Sequence, residues 1–405
     1  MNGVVVKHGV LMIRSLVLVP LLWLAGPTPG TADCLFVNTN SSPNLVAAFE
    51  VGPDGSLTPA AGSPFSTGGS GGFRAHVGSI GLCPASSRLY VSNSASDDVS
   101  GFRVALDCTL TPLPGSPYGA GLTPVGIDLD PAGDFLYVSN FVGNNISAYE
   151  IADDGSLAQI PGSPFGSPIT PLDIQFAPAG DQFFVSHDFD HSVGAYDQAS
   201  DGTFTSLPGS PFPAGGIEHG LVVNPSGSRL YVADLRTHTI TGFSVGSGGL
   251  TSLAQSPYST GAAPIELVVD FADRFLYVTH RNGDTIGGFA IDGQGNLTRL
   301  PDSPFPSDSR GPAGLAQDPR GRYLFVANGG FDGHPDVSVY AVSATGSLTP
   351  IPGSPFPTGG TGHATGIAYL RQLSNPVAIP TLGEAGLWAL VLALLGLGVA
   401  WLRHR

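Results

Sequence analysis

An all-β fold, a β-propeller of seven four-stranded blades, is predicted by three observations: a unit that returns about every 47 residues, four short strand signals within each unit, and a turn-dense composition. The marker "LFV", "LYV" or "FFV" begins at Leu35, Leu89, Leu136, Phe183, Leu230, Leu276 and Leu324, at separations of 54, 47, 47, 47, 46 and 48 residues. A Ser-Pro-aromatic tripeptide keeps nearly the same step from Ser63 to Ser354. Of 405 residues, 57 are glycine, 36 are proline and only 12% are charged, a balance that suits short strands and excludes helical solenoids.

The first 32 residues carry no acid, place Lys7 and Arg14 ahead of the apolar run "SLVLVPLLWLAG", and end in small residues at Gly30 and Ala32. They predict an export signal over 1–32 cleaved near Ala32, with a retained N-terminal anchor as the alternative. Asp33 directly before Cys34 excludes a lipoprotein box. Three cysteines, Cys34, Cys83 and Cys108, allow one disulfide in an oxidising compartment, and the sequence does not choose its partners.

The propeller is expected over 33–370. In one copy the strands are "PVGIDLDP" (124–131), "FLYVSN" (135–140), "ISAYEI" (146–151) and "LAQIPGSPF" (157–165). Blades stack face to face and bury both sides of each sheet, so each strand reads as nearly continuously apolar. The recurring "GSPF" falls on the fourth, outermost strand, where proline removes a donor from an open edge and the aromatic packs between blades. The "DGSL" turn before that strand needs a residue tolerant of positive φ, supplied by Gly55, Gly155, Gly202, Gly248, Gly295 and Gly346, while Cys108 stands in that place in the second copy. The first unit lacks a first strand and the last ends with a spare one, "HATGIAYL" at His363 to Leu370. The two fragments therefore share one blade and close the ring.

Residues 371–378 form a linker to "IPTLGEAGLWALVLALLGLGVAWLRHR", in which Ala385 to Leu402 carry no charge before Arg403, His404 and Arg405. At about 1.5 Å per residue this segment is long enough to cross a thin bilayer, and the terminal arginines stay cytoplasmic. The motif Ile379, Pro380, Thr381 and Leu382, followed by a membrane helix and basic residues, resembles the IPTL variant of the PEP-CTERM sorting signals of Gram-negative bacteria. The resemblance implies an exosortase-type protease as partner, an inner-membrane stage, and sorting to the cell surface or beyond it; a permanent tail anchor is the alternative.

"PAGDFLYVSNFVGNNISAYEIADDGSLAQIPGSPF" (131–165) resembles the units of the YVTN-repeat and lactonase-like bacterial propellers, and the likeness runs over 34–370. Acids outnumber bases 31 to 16, and Lys7 is the sole lysine, so nucleic-acid binding and Schiff-base chemistry are excluded from the exported chain. No Gly-x-Ser-x-Gly elbow, phosphate loop or cysteine nucleophile is present.

In this register the second-to-third loops and the crossovers between blades share one face. It collects His76, His187, His191, His219, His238, His280, His334 and His363, with Asp188, Asp190, Glu218, Asp234, Arg236, Glu266, Arg281 and Asp284. His187, His191, Asp234, His280, His334 and His363 make a candidate ligand-binding face. No metal motif is present and no cofactor is expected, although such a face leaves room for a divalent cation. The lactonase resemblance implies histidine, carboxylate and arginine that position water and stabilise an oxyanion. "FRAH" (Arg74, His76) and "IEHG" (Glu218, His219) are similar to the family's crossovers, while Ile265-Glu266 departs from its arginine-acid pair and Arg281 stands one loop away. His76, Glu218, His219 and Arg281 are thus the candidate catalytic set. Because phosphorylated sugar lactones are cytoplasmic, export favours a monomeric, surface-sorted binding scaffold for an extracellular ligand, with lactone hydrolysis as the alternative.

Overall fold

The computed structural model describes residues 32–72, 79–178, 180–216, 218–329 and 335–372. These form seven antiparallel sheets and no helix, so among the described residues nothing is long and apolar enough to cross a membrane. The expected signal peptide up to residue 31, most of the linker, the sorting motif Ile379 to Leu382 and the helix over 385–402 lie outside the described residues, as do Arg74, His76 and His334.

Each sheet is one blade. In blade 3 the innermost strand, Pro124–Leu129, pairs with Phe135–Asn140, and that with Asn145–Ile151. Ring closure follows the sequence expectation: Gly366–Leu370 pairs antiparallel with Asp33–Asn38, from Cys34 against Leu370 to Asn38 against Gly366. Blade 1 thus takes its inner strand from the far end of the propeller.

The outermost strand differs from the expectation. It is broken into Leu157–Gln159 and Phe165–Gly166, and both pieces pair with the same third strand. The Pro-Gly-Ser-Pro segment between them bulges away, which leaves the backbone of Ala148 to be satisfied by other means. Ile160 N–H donates to its carbonyl at 3.1 Å, and its own N–H donates to Ser163 Oγ at 2.9 Å. The same serine hydroxyl accepts a third-strand N–H in every blade, from Ser63 on Ala48 to Ser354 on Val339. The tripeptide therefore repairs an interrupted ladder, since an orphaned buried N–H costs about 1–3 kcal/mol. Its aromatic packs across the blade boundary as expected, Phe165 lying 4.9 Å from the Phe204 ring of the next blade.

Two further contacts recur across blade boundaries. Tyr90, Tyr137, Tyr231 and Tyr277, all fully buried, donate through the phenol to the carbonyl of the turn residue in the next blade, Gly155, Gly202, Gly295 and Gly346, at 2.7–2.8 Å. This explains why the "LYV" and "DG" signals keep one period. In the fifth blade the left-handed turn residue is Gly249 (φ 104°), one place after the Gly248 that the sequence spacing selects.

The structure also resolves the cysteine question. Cys108 adopts φ 62° in the turn-glycine place and bonds to Cys34, closing a separation of 74 residues; Cys83 is free and buried. The bridge ties the strand Asp33–Asn38 of blade 1 to blade 2. Cys108→Ser, or reduction of the wild type, is expected to lower the melting temperature by roughly 5–10 °C in calorimetry, from the loop-closure entropy regained by the unfolded chain.

Candidate functional site

The inner strands surround the central channel, and those of blades 3 to 7 begin with a bulge. Pro124 pairs with Asn140 and Ile127 with Val138, so Val125 and Gly126 together oppose Ser139. The same shift occurs at Leu172-Asp173, His219-Gly220 and Ile265-Glu266. Bulges re-aim side chains and interrupt pairing, and here the freed groups are collected by the second strand. Asp173 N–H donates to Ser186 Oγ at 3.0 Å, and Ser186 donates in turn to the His219 carbonyl of the next blade at 2.6 Å. Glu266 N–H, Thr279 Oγ1 and the Ala313 carbonyl repeat the relay. At Gly126 and Gly314 a Cβ would overlap the next blade's carbonyl, of Leu172 and of Thr365 respectively.

In blades 4 and 6 the glycine place is taken by acids, Asp173 and Glu266. With Asp128, Gln175 and a wall of Ile127, Ile174 and Leu267 they line a cavity of about 180 Å³. The sequence reading passed over Asp128, Asp173 and Gln175; their signal was a polar residue inside the apolar runs "PVGIDL" and "PLDIQF". Three of these side chains cap channel-facing N–H groups of the neighbouring inner strand. Asp128 accepts from Phe176 (2.9 Å), Asp173 from Leu221 (2.9 Å) and Gln175 from Val223 (2.7 Å). Burial pushes the carboxyls of Asp128 and Asp173 up to about 7, and it raises Glu266, with the nearby Asp173 charge adding to the effect.

The six described histidines stand at the crossover end of the blades, as expected, but most are committed to the fold. His187 and His280 end second strands where other blades have Asn93, Asn140 and Asn328. Those asparagines brace the start of the third strand, as Asn140 does on Asn145 Oδ1 at 2.7 Å. The histidines do the same: His280 Nδ1 meets Thr285 Oγ1 at 2.9 Å while Nε2 accepts Gly261 N–H at 2.9 Å, and the nitrogens of His187 meet Ser192 and Ser167 hydroxyls at 3.3 and 3.1 Å. Asp234 holds its own loop through the N–H groups of Arg236 and Thr237. All three are at most 1% exposed, so the expectation that they present a ligand face is corrected.

His191 and His238 take left-handed turn positions (φ 53° and 59°), and His238 Nδ1 accepts Ala263 N–H at 3.1 Å, the task of Asp97, Asn144 and Asp284 in their blades. His363 donates Nδ1–H to the Gly329 carbonyl at 2.7 Å.

His219 is different. It is 8% exposed, its Nδ1 is buried without a hydrogen-bond partner, and its backbone is clamped by Ser186. Burial, aided by the positive charge of Arg281, pulls its pKa down to about 4. It is therefore a neutral imidazole at pH 7, electrostatically in reach of a guanidinium. Half-buried Arg281 opens the loop after His280, its N–H bonded to the Ala263 carbonyl at 3.0 Å. Glu218 precedes His219 on the same inner strand, paired with Asp234. The charge of Arg281 is felt at His219, and Glu218 is adjacent to His219 in the chain. Among the described residues no cluster of three or more His, Cys, Asp or Glu is arranged to hold a metal ion.

Buried histidines and buried acids set opposite pH dependences. His187, His219 and His280, each lowered by burial to about 4, lose protons on folding, so their stability contribution declines as pH falls from about 6.5 through 4. Asp128 and Asp173, raised to about 7, gain protons on folding, so theirs declines as pH rises from about 4 through 7. The two sets oppose each other, and a nearly level stability between about pH 4.5 and 6.5 is expected. The double variant H187N/H280N, which copies the asparagines of other blades, leaves the acids less opposed; its urea midpoint should fall as pH rises through this window.

The sequence matches the family model for "Lactonase, 7-bladed beta-propeller" over residues 36–170, 170–307 and 219–358. The chain belongs to this lactonase family. Solved propellers share its fold at low identity. The periplasmic gluconolactonase of Pseudomonas aeruginosa is 19% identical, with a TM-score of 0.64 over 84% of this chain and 99% of that one. A protein of Bacteroides uniformis, provisionally named a 6-phosphogluconolactonase, is 16% identical with a TM-score of 0.68 over 84% and 100%. A Lactobacillus plantarum protein is 17% identical with a TM-score of 0.66 over 84% and 99%. No curated protein sequence matches the chain. The expectation of a non-enzymatic binding scaffold, which rested on export, is overturned by the lactonase family match, which favours the alternative of lactone hydrolysis.

Proposed function

We propose that this lactonase-family propeller hydrolyses a lactone at the crossover end of its channel. The observation that carries the reading is His219 itself, buried on an inner strand with its Nδ1 unpartnered and within the electrostatic influence of Arg281. Neutral imidazole takes a proton from water, the hydroxide adds to the lactone carbonyl, and the guanidinium steadies the oxyanion. The ring C–O bond then breaks, its oxygen takes the proton from the imidazolium, and a hydroxy acid leaves. Glu218, and His76 outside the described residues, complete the proposed set. The terminal Arg403 and Arg405, the apolar tail and the IPTL motif support export, exosortase-dependent sorting and a membrane stage; loss of surface protein on deletion of 379–405 tests that part. For the chemistry, purified protein is titrated at constant pH against a panel of γ- and δ-lactones. Acid release proportional to enzyme supports the reading, and none across the panel rejects it.

A further inference from the structure

Resting on that reading, we propose that the substrate is an uncharged lactone bearing an apolar chain, the ring at His219 and Arg281 and the chain across blades 3 and 4. Four of the six exposed large apolar side chains among the described residues lie in this one sector: Leu122 (56%), Val142 (50%), Ile169 (50%) and Phe189 (59%). Hydrogen bonds join their segments into one strip. Gly143 N–H donates to the Leu122 carbonyl (3.1 Å), Thr170 N–H to Asn144 Oδ1 (2.7 Å) and Phe189 N–H to Thr170 Oγ1 (2.9 Å). Beneath lies a small buried cluster of Val125, Phe141 and Leu172. By pairing register Val125, Leu172 and His219 hold the same bulge position in three successive blades, so the apolar bed leads one blade at a time to the imidazole.

Charge narrows the chemistry further. No lysine or arginine occurs between Arg103 and Arg229, which spans all of blades 3 and 4, while Asp188 and Asp190 flank Phe189. A phosphate on the substrate would find no partner there and two negative neighbours. An alkyl or acyl chain would instead remove exposed apolar surface from water.

The test compares γ-decalactone, γ-butyrolactone and glucono-δ-lactone on the purified full-length protein. The expected kcat/KM for γ-decalactone exceeds that for γ-butyrolactone on the order of 10- to 100-fold, since part of a six-carbon chain is buried. In the double variant I169S/F189S the ratio falls toward one, with an unchanged melting temperature because both side chains are exposed. Turnover of the short lactones without a chain-length preference, or a preference that survives in the variant, overturns this inference alone. No turnover of any of the three overturns the lactonase reading, and this inference with it.

Discussion

His219→Ala is expected to lower kcat/KM for lactone ring opening by about 10²–10⁴-fold, the usual contribution of a positioned proton-transfer group. Only the unprotonated ring can accept a proton from water, and burial together with Arg281 brings its pKa to about 4. The enzyme-catalysed rate should therefore rise through about pH 4 and stay level from pH 5 to 7.5, where an exposed histidine would still be titrating near 6.5. Arg281→Gln removes the lesser of the two causes of the depression, so it should slow the reaction through the lost oxyanion partner and move the acid limb upward. That shift separates a charge acting on His219 from a merely structural arginine. Truncating a buried ring also leaves a hole, so His219→Gln, closer in volume, accompanies the alanine variant, with thermal melts on both. A folded His219→Gln protein that retains full activity would remove His219 from the mechanism.

The period, the number of blades and the shared closing blade were legible because each of these features is written seven times, or is conspicuous by its absence from one unit. Mutual contacts between repeats were half legible. The tyrosine of "LYV" and the glycine of "DGSL" announce a common period, but only the structure shows that one donates to the other across a blade boundary. "GSPF" read as an edge device through its proline, and the role of its serine was not legible because its bond to the third strand depends on a break in the fourth that no local pattern announces. Cys108 looked anomalous until its partner was known.

A functional group, by contrast, occurs once per ring, so repetition cannot reveal it. Departures from the repeat are the remaining signal, and they mislead as readily as they inform. His187 and His280 depart from asparagine and do the asparagine's work, whereas His219 departs from Val125 and Leu172 and leaves a buried nitrogen unpartnered. What distinguishes them is whether the surroundings satisfy the ring, a property of three dimensions. The same holds for Asp173 and Glu266, which stand where other blades have glycine and whose carboxyls face the channel cavity.

Deleting residues 364–405 is expected to abolish cooperative folding, whereas deleting 373–405 should leave the melting temperature within a few degrees of the full chain. The first deletion removes the inner strand of blade 1. Its partner strand is buried completely from Cys34 to Asn38, and five residue pairs join the two. The ends are pinned as well: Tyr369 donates its phenol to Asp33 Oδ2 at 2.7 Å and packs 5.5 Å from the Phe325 ring, while Gln372 N–H donates to Asp33 Oδ1 at 3.0 Å. Loss of Leu370 and the partly buried Ile367 and Tyr369 alone forfeits on the order of 5 kcal/mol, comparable with the whole stability of many domains. Stripping the first strand of its pairing also exposes a new edge of apolar sequence, "CLFVN", which promotes aggregation. The disulfide does not compensate, because it anchors Cys34 to blade 2, whereas the packing of Ala364, Ile367 and Tyr369 against blade 7 is lost. Circular dichroism melts on both truncations, with and without an added peptide spanning 364–372, provide the measurement. Recovery of the sheet signal by the peptide would identify strand pairing as the cause, and a normal melt for the shorter chain would show that the ring holds without its closing strand.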